Sequence, residues 1–268
     1  MRRIAVFNDL SGFGKCSLSV SLPIISACGI QCCPLPTAVF TKQTAFENYH
    51  YKDLTDEIPQ YINDWTEEHF DGIYTGFFTD EKQMQLAEEF ILRHPESGVV
   101  LVDPVLGDNG DAYPVCTDEL LCGMKKLINV ATVITPNLTE LAMLSSTDYQ
   151  DLVKSGADKI YKTALGLLGT RLETVIVTGI HINNKVCNLI ACKKGYILVS
   201  SHLYHGSFSG TGDIFASIVA AMLTNGKTAK YSVSKAAKFI SKAAKSTIKT
   251  GIDPRHGIEF EKYMNLLH

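Results

Sequence analysis

Gly210, Thr211, Gly212 and Asp213 stand together at the start of an apolar helical run, GTGDIFAS. Glycines let backbone N–H groups converge on a bound oxygen, because no Cβ intervenes. The first turn of a helix adds partial positive charge. The stretch therefore has the makings of an anion hole. An acid at Asp213 is out of place if it only faces that anion. It is in place if it takes a proton from an alcohol while a bound phosphate chain gives up a phosphoryl group to that alcohol. The plainer reading is a helix-start acid stabilised by the helix dipole. The tetrapeptide alone leaves both readings open.

Two further segments add oxygen ligands. VDPVLGD (102–108) carries Asp103 and Asp108, and ITPNLTE (134–140) carries Asn137 and Glu140. Hard oxygens suit Mg²⁺, which keeps several waters and bridges phosphates, so the acids would hold it through water rather than directly. A donor phosphate among so many acids calls for a counter-cation. The competing reading is capping, with Asn137 and Thr139 closing the start of a helix that Glu140 joins.

SGFGKCS (11–17) imitates part of a phosphate-binding P-loop. The full pattern needs Gly five positions before Gly14 and Ser or Thr after Lys15. Asp9 and Cys16 occupy those positions, so the P-loop is rejected. Gly12 and Gly14 instead let the chain lie close to a ligand, and Lys15 has no assigned task.

The elements that must position these residues alternate in type. RRIAVFN (2–8), GIYTG (72–76), GVVLVDP (98–104), ATVITPN (131–137) and ETVIVTG (173–179) read as strands. Their continuous apolar runs mark strands buried on both faces. CSLSVSLPIISACG (16–29), with an irregularity at Pro23, DEKQMQLAEEFILRH (80–94), with Asp80 as N-cap, and 148–169 read as helices between them. This rhythm implies a parallel sheet with helices on both sides. Then 185–192 and 196–200 read as a hairpin, followed by helices over 211–223 and 230–249. The lysines of the last helix read as a solvated face. In such sheets ligands bind beyond the carboxyl ends of the strands. Asn8-Asp9, Thr75-Gly76, Asp103, Thr135-Pro136-Asn137 and Thr178-Gly179 lie there, together with the glycine loop.

Composition sets the outer limits. With 268 residues, 46% hydrophobic and 20% charged, the chain reads as one soluble domain over 1–268. A net charge of −3 gives no field for nucleic acid or an anionic membrane. The opening apolar run, Ile4 to Phe7, is too short for a signal core. Eight irregularly spaced cysteines read as reduced thiols of a cytoplasmic protein, and Cys32-Cys33 is not a metal-binding CxxC. No GxGxxG follows the first strand, which argues against a dinucleotide oxidoreductase.

The ordered set AVFTKQTAF (38–46), YTGFFTDE (74–81), VDPVLGD, TPNLTE and GTGD resembles the pyridoxal kinases of the ribokinase-like superfamily, over nearly the whole chain. The resemblance implies a three-layer α/β/α fold with a mostly parallel central sheet and a small antiparallel hairpin. It implies ATP-dependent phosphorylation of the 5′-hydroxymethyl group of a B6 vitamer, with Mg²⁺ and a monovalent cation, in a homodimer. Carried over by position, Asp213 is the catalytic base and Gly210, Thr211 and Gly212 form the anion hole. Asp103, Asp108, Asn137 and Thr178 line the ATP site, with Tyr113 in the segment that approaches the phosphates. Asp103 and Glu140 attend the metal. Asp9, Phe40, Thr44 and Phe77 surround the pyridine ring. Three departures bear on the vitamer. Asp9 stands where a serine is usual, Lys42-Gln43 replaces Asn-His, and Phe77 replaces Tyr. As an acceptor, Asp9 would favour a protonated amine or ring nitrogen, which tilts toward pyridoxamine. NDLSGFG resembles the opening of hydroxymethylpyrimidine kinases instead, so that activity is the alternative. A non-catalytic vitamer- or nucleotide-binding protein is the other.

Overall fold

The computed structural model describes residues 1–202 and 208–268. The first half runs β1 (Arg3–Ser11), α1 (Ser17–Ala27), β2 (Gln31–Phe40), β3 (Tyr51–Asp53), α2 (Ile58–Asp64), β4 (Gly72–Thr75), α3 (Glu81–Arg93) and β5 (Val99–Val102). A small hairpin follows, β6 (Gly107–Asp108) and β7 (Asp111–Ala112), then α4 (Asp118–Leu127) and β8 (Val133–Ile134). After α5 (Leu138–Ser145), α6 (Tyr149–Val153) and α7 (Ala157–Leu165) come β9 (Thr174–Ile182), β10 (Lys185–Cys192) and β11 (Gly195–His202). The helices α8 (Thr211–Thr224) and α9 (Ala229–Ile248) follow.

Among the described residues the central sheet has nine strands, ordered β11-β10-β9-β8-β5-β4-β1-β2-β3. Strands from β2 to β9 run parallel, while β3, β10 and β11 are antiparallel additions at the edges. Side chains alternate across the sheet with period two, so successive β1 residues enter opposite cores. Ala5 and Phe7 pack with Met84 and Phe90 of α3, Met124 of α4 and Leu141 of α5. Ile4 and Val6 pack with Leu18 and Ile24 of α1, Ile218 of α8 and Phe239 of α9. Both faces are covered, which is why the strands read as unbroken apolar runs. Truncating a fully buried ring such as Phe90 to Ala should cost about 3–5 kcal/mol.

The expected strands and the hairpin are present, and Asp80 caps α3 by accepting from the Gln83 N–H. Two expectations need correction. The reading of 148–169 as helix breaks into α6 and α7, because Gly156 takes an extended conformation and starts α7 anew. The strand β2 escaped notice because Pro34 and Pro36 interrupt its pattern. Proline cannot donate to a ladder and belongs on edges. Here β3 pairs only with Ala38, Val39 and Phe40, so β2 is a true edge at both prolines. Among the described residues, which include all eight cysteines, none is paired, and no helix is long and apolar enough to cross a membrane.

Candidate active site

The strand order reverses between β1 and β4. From β1 the chain passes through α1 to β2 on one side, then returns to lay β4 on the other. Ligands of open α/β sheets bind in the crevice at such a reversal. Asn8 stands at its edge and joins three elements. Its Oδ1 accepts from the backbone N–H groups of Asp9 (3.0 Å) and Phe77 (2.9 Å). Those donors fix the amide, so its Nδ2 donates to Asp213 Oδ1 at 3.2 Å. Gly76 permits the approach, since a Cβ there would strike the Asn8 side chain.

Asp213 lies in the first turn of α8, whose N-cap residue, Gly210, has no side chain to cap it. The two glycines beside it differ in purpose. Gly210 holds a left-handed conformation (φ 75°), and a Cβ on it would run into the Lys15 carbonyl oxygen. Gly212 is exposed, and a Cβ on it would meet nothing within 4 Å. Gly210 therefore lets the loop pack, while Gly212 leaves the helix N-terminus open to a ligand.

The acids gather around this point. Burial raises the Asp213 carboxyl above the ordinary range, opposed by the Ser17 N–H, the Asn8 amide and the Tyr74 hydroxyl. Burial pushes Asp9 up to about 6, and the charge of Asp213 adds to the rise. Both Asp9 oxygens are engaged, Oδ1 by the Ser17 hydroxyl at 2.5 Å and Oδ2 by the Ser11 hydroxyl at 3.0 Å. Asp103 follows β5; burial, with Asp213 nearby, pushes it up to about 7 against a 2.6 Å hydrogen bond from Thr135. Glu140 is raised well above the usual range by burial and by the charge of Asp103.

Glu140 and Asn137 also form the expected capping box of α5. Glu140 Oε2 accepts from the Asn137 N–H at 2.8 Å, and Asn137 Oδ1 accepts from the Glu140 N–H at 3.0 Å. Capping and proximity to the acids hold together here. Asp108 is exposed at the β6–β7 turn, where its carboxylate accepts from Asn109. Tyr113 is pushed up by burial and by Glu140, Asp108, Asp103 and Asp213. The Thr178 N–H donates to the Pro136 carbonyl at 2.9 Å, at the carboxyl end of the neighbouring strand.

Among the described residues, no three His, Cys, Asp or Glu side chains converge to bind a metal ion directly. Asp103 and Glu140 still fit Mg²⁺ held through water. They are oxygen donors whose protons are held on by burial first, with the charge of Asp213 acting on Asp103 and that of Asp103 on Glu140, and a cation beside them would favour their ionised forms.

Around the crevice Phe40 and Phe77 meet edge to face at 5.9 Å, and Tyr51 stacks on Phe40 at 5.1 Å. Thr44 lies exposed on the loop after β2. Phe13 and Phe46 pack around His256 at 5.4 and 5.3 Å. Lys15 now has a task. Its Nζ donates to Glu261 at 2.9 Å and to the Ile258 carbonyl at 3.3 Å, clasping the β1–α1 loop to the C-terminal segment. The sequence reading placed Asn8 only among polar strand ends, and missed Ser17 and Tyr74 altogether. Tyr74 looks like core, and it is fully buried beside Ser21 and Asp213. At the far end of the sheet a hollow of about 510 Å³ is lined by Cys28, Asn225, Lys227, Tyr231 and Lys235 among others. No acid lines it.

Residues 21–258 match the family model described as phosphomethylpyrimidine kinase. A candidate phosphomethylpyrimidine kinase from Bacteroides thetaiotaomicron has the same fold, with a TM-score of 0.95 and 36% identity over 99% of this chain and 93% of that one. Its orthorhombic crystal form, with pyridoxal, gives a TM-score of 0.93 and 35% identity over 99% of this chain and 95% of that one. The hydroxymethylpyrimidine/phosphomethylpyrimidine kinase of Mycobacterium leprae is 23% identical over 94% of this chain and 91% of its own length. A candidate pyridoxal kinase of Schizosaccharomyces pombe is 29% identical over 57% of this chain, which spans only 46% of that relative. With the family match running over most of the sequence, the chain belongs to the phosphomethylpyrimidine kinase family, within the ribokinase-like superfamily that also holds the pyridoxal kinases.

Proposed function

We propose that this chain phosphorylates the 5′-hydroxymethyl group of a B6 vitamer, using ATP and Mg²⁺. The observation that carries the reading is the placement of Asp213. It stands partly exposed at the strand-order reversal, one residue from the open Gly212 at the uncapped start of α8. A base and an anion hole thus share one helix terminus.

In this reading Asp213 accepts the proton of the alcohol as its oxygen attacks the γ-phosphorus. The bond between that phosphorus and the bridging oxygen breaks, and ADP leaves with the electron pair. Gly210, Thr211 and Gly212 present the helix start to the developing negative charge. Asn137, Thr178 and Asp108 border the nucleotide side. Asp103 and Glu140 hold Mg²⁺ through water, and Mg²⁺ when bound supplies charge neutralisation at the phosphates. Phe40 and Phe77 offer an aromatic corner to a flat heteroaromatic ring, with Thr44 at the rim.

The pyridoxal in the Bacteroides structure favours a B6 vitamer. The family description and the Mycobacterium relative favour a hydroxymethylpyrimidine. The same base and anion hole serve either alcohol, so turnover decides. ADP release is to be measured with Mg-ATP and, side by side, pyridoxal, pyridoxine, pyridoxamine and hydroxymethylpyrimidine. Turnover highest with a B6 vitamer is expected. Turnover with the pyrimidine alone moves the substrate to the second reading, and none with any overturns the kinase reading in favour of a binding protein.

A further inference from the structure

Ser17 is buried yet held left-handed, at φ 52°. Such a conformation is unfavourable for a residue with a Cβ, and it persists only where the surroundings impose it. Two contacts tie Ser17 down. Its hydroxyl donates to Asp9 Oδ1, and its carbonyl accepts from the Ser21 hydroxyl at 3.0 Å. Its backbone N–H is the leading influence that favours the ionised form of Asp213 against burial. The other side-chain amide at Asp213 belongs to Asn8, whose orientation depends on the Asp9 backbone N–H. Asp9 thus touches Ser17 and Asn8, the two residues that lead in favouring the Asp213 carboxylate, and its own oxygens are occupied by Ser17 and Ser11.

We propose that Asp9 is a positioning residue for the base: its carboxylate holds Ser17 in the left-handed turn that aims the Ser17 N–H at Asp213, and it does not contact the acceptor alcohol. This rests on the reading of Asp213 as the base. It replaces the expectation that Asp9 receives a cationic group of the substrate, and it removes the reason to expect a pyridoxamine preference.

The test uses Asp9→Asn, Ser17→Ala and the double variant. Asparagine keeps the shape and the backbone N–H to Asn8 but weakens the hold on Ser17. With whichever alcohol the wild type turns over, Asp9→Asn should lower kcat by about tenfold or more and leave the alcohol KM within about threefold. Ser17→Ala should act in the same direction, and the double variant should fall no further than the more damaged single one, since both cut one connection. A tenfold rise in the alcohol KM at unchanged kcat, single effects that multiply, or unaltered kcat in both variants would each overturn the proposal. Should Asp9→Asn not fold, Ser17→Ala and Ser17→Gly carry the kinetic test. A wild type that turns over neither alcohol sinks the kinase reading alone. Hydrogen exchange at the Ser17 amide then decides the positioning claim: it should accelerate about tenfold in Asp9→Asn, and unchanged protection contradicts it.

Discussion

The two sides of the crevice treat their acids differently. On the acceptor side, Asp9 and Asp213 are surrounded by neutral donors: Ser11 and Ser17 hydroxyls, the Ser17 N–H and the Asn8 amide. These stabilise negative charge without cancelling it. A carboxylate in such a setting stays available to take a proton. On the donor side, Asp103 has the Thr135 hydroxyl, and Glu140 has the Leu106 N–H and the Asn137 N–H, the second within the capping box of α5. Burial, with the charge of Asp213, pushes Asp103 up to about 7, and burial, with the charge of Asp103, raises Glu140 well above the ordinary range. In the proposed function, proton transfer falls to the first pair of acids and the metal to the second.

The strongest way to break this contrast is at the glycines that join the two sides. Gly210→Ala should lose about 2–5 kcal/mol of stability, because it adds left-handed strain and an overlap with the Lys15 carbonyl. Gly212→Val should leave the melting temperature nearly unchanged and raise the nucleotide KM by about tenfold, since its side chain enters open space at the anion hole. Equal melting temperatures for the two variants would refute the division of labour. Next in size, Asp103→Asn should raise the Mg²⁺ needed for half-maximal turnover by about tenfold or more, while the metal-free protein becomes no less stable. An unaltered Mg²⁺ dependence would move the metal elsewhere.

A smaller effect concerns pH. Asp9 and Asp103 have folded-state values of about 6 and about 7, above their ordinary 3.8. The folded protein therefore binds more protons than the unfolded chain between those limits, and the stability these groups contribute is lost as pH rises through 6 to 7. Without metal or nucleotide, the melting temperature should fall by a few degrees, on the order of 5 °C, between pH 5 and pH 8. Asp103→Asn should flatten the slope, and a rise across that window would contradict the assignment. The smallest effect is at the clasp. The Lys15–Glu261 pair is partly exposed, so Lys15→Ala should cost about 0–1 kcal/mol by denaturant titration.

Much of this was legible in the sequence where chemistry and periodicity coincide. The apolar runs of β4, β5 and β9 announce strands covered on both faces, and GTGD announces its helix terminus. Prolines concealed β2, because only the partner strand reveals that Pro34 and Pro36 need no donor. In the site, the acids were visible from their types, but what surrounds them was not. Ser17 and Asp213 are far apart in sequence, and nothing in a serine within CSLSVS marks a left-handed turn. Tyr74 reads as one more apolar strand residue. Asp9 was conspicuous, yet its contact with Ser17 arises only when the loop after β1 folds back.

The most direct test of the account is Asp213→Asn, with turnover and nucleotide affinity measured on the same preparation. The amide keeps the size and cannot act as a base. The account predicts that kcat falls by about 10²- to 10⁴-fold while ATP affinity survives and the melting temperature holds or rises, because a charge that repels Asp9 and Asp103 has been removed. Activity within a few-fold of wild type, with lowered stability, would make Asp213 a helix-start acid and contradict the mechanism.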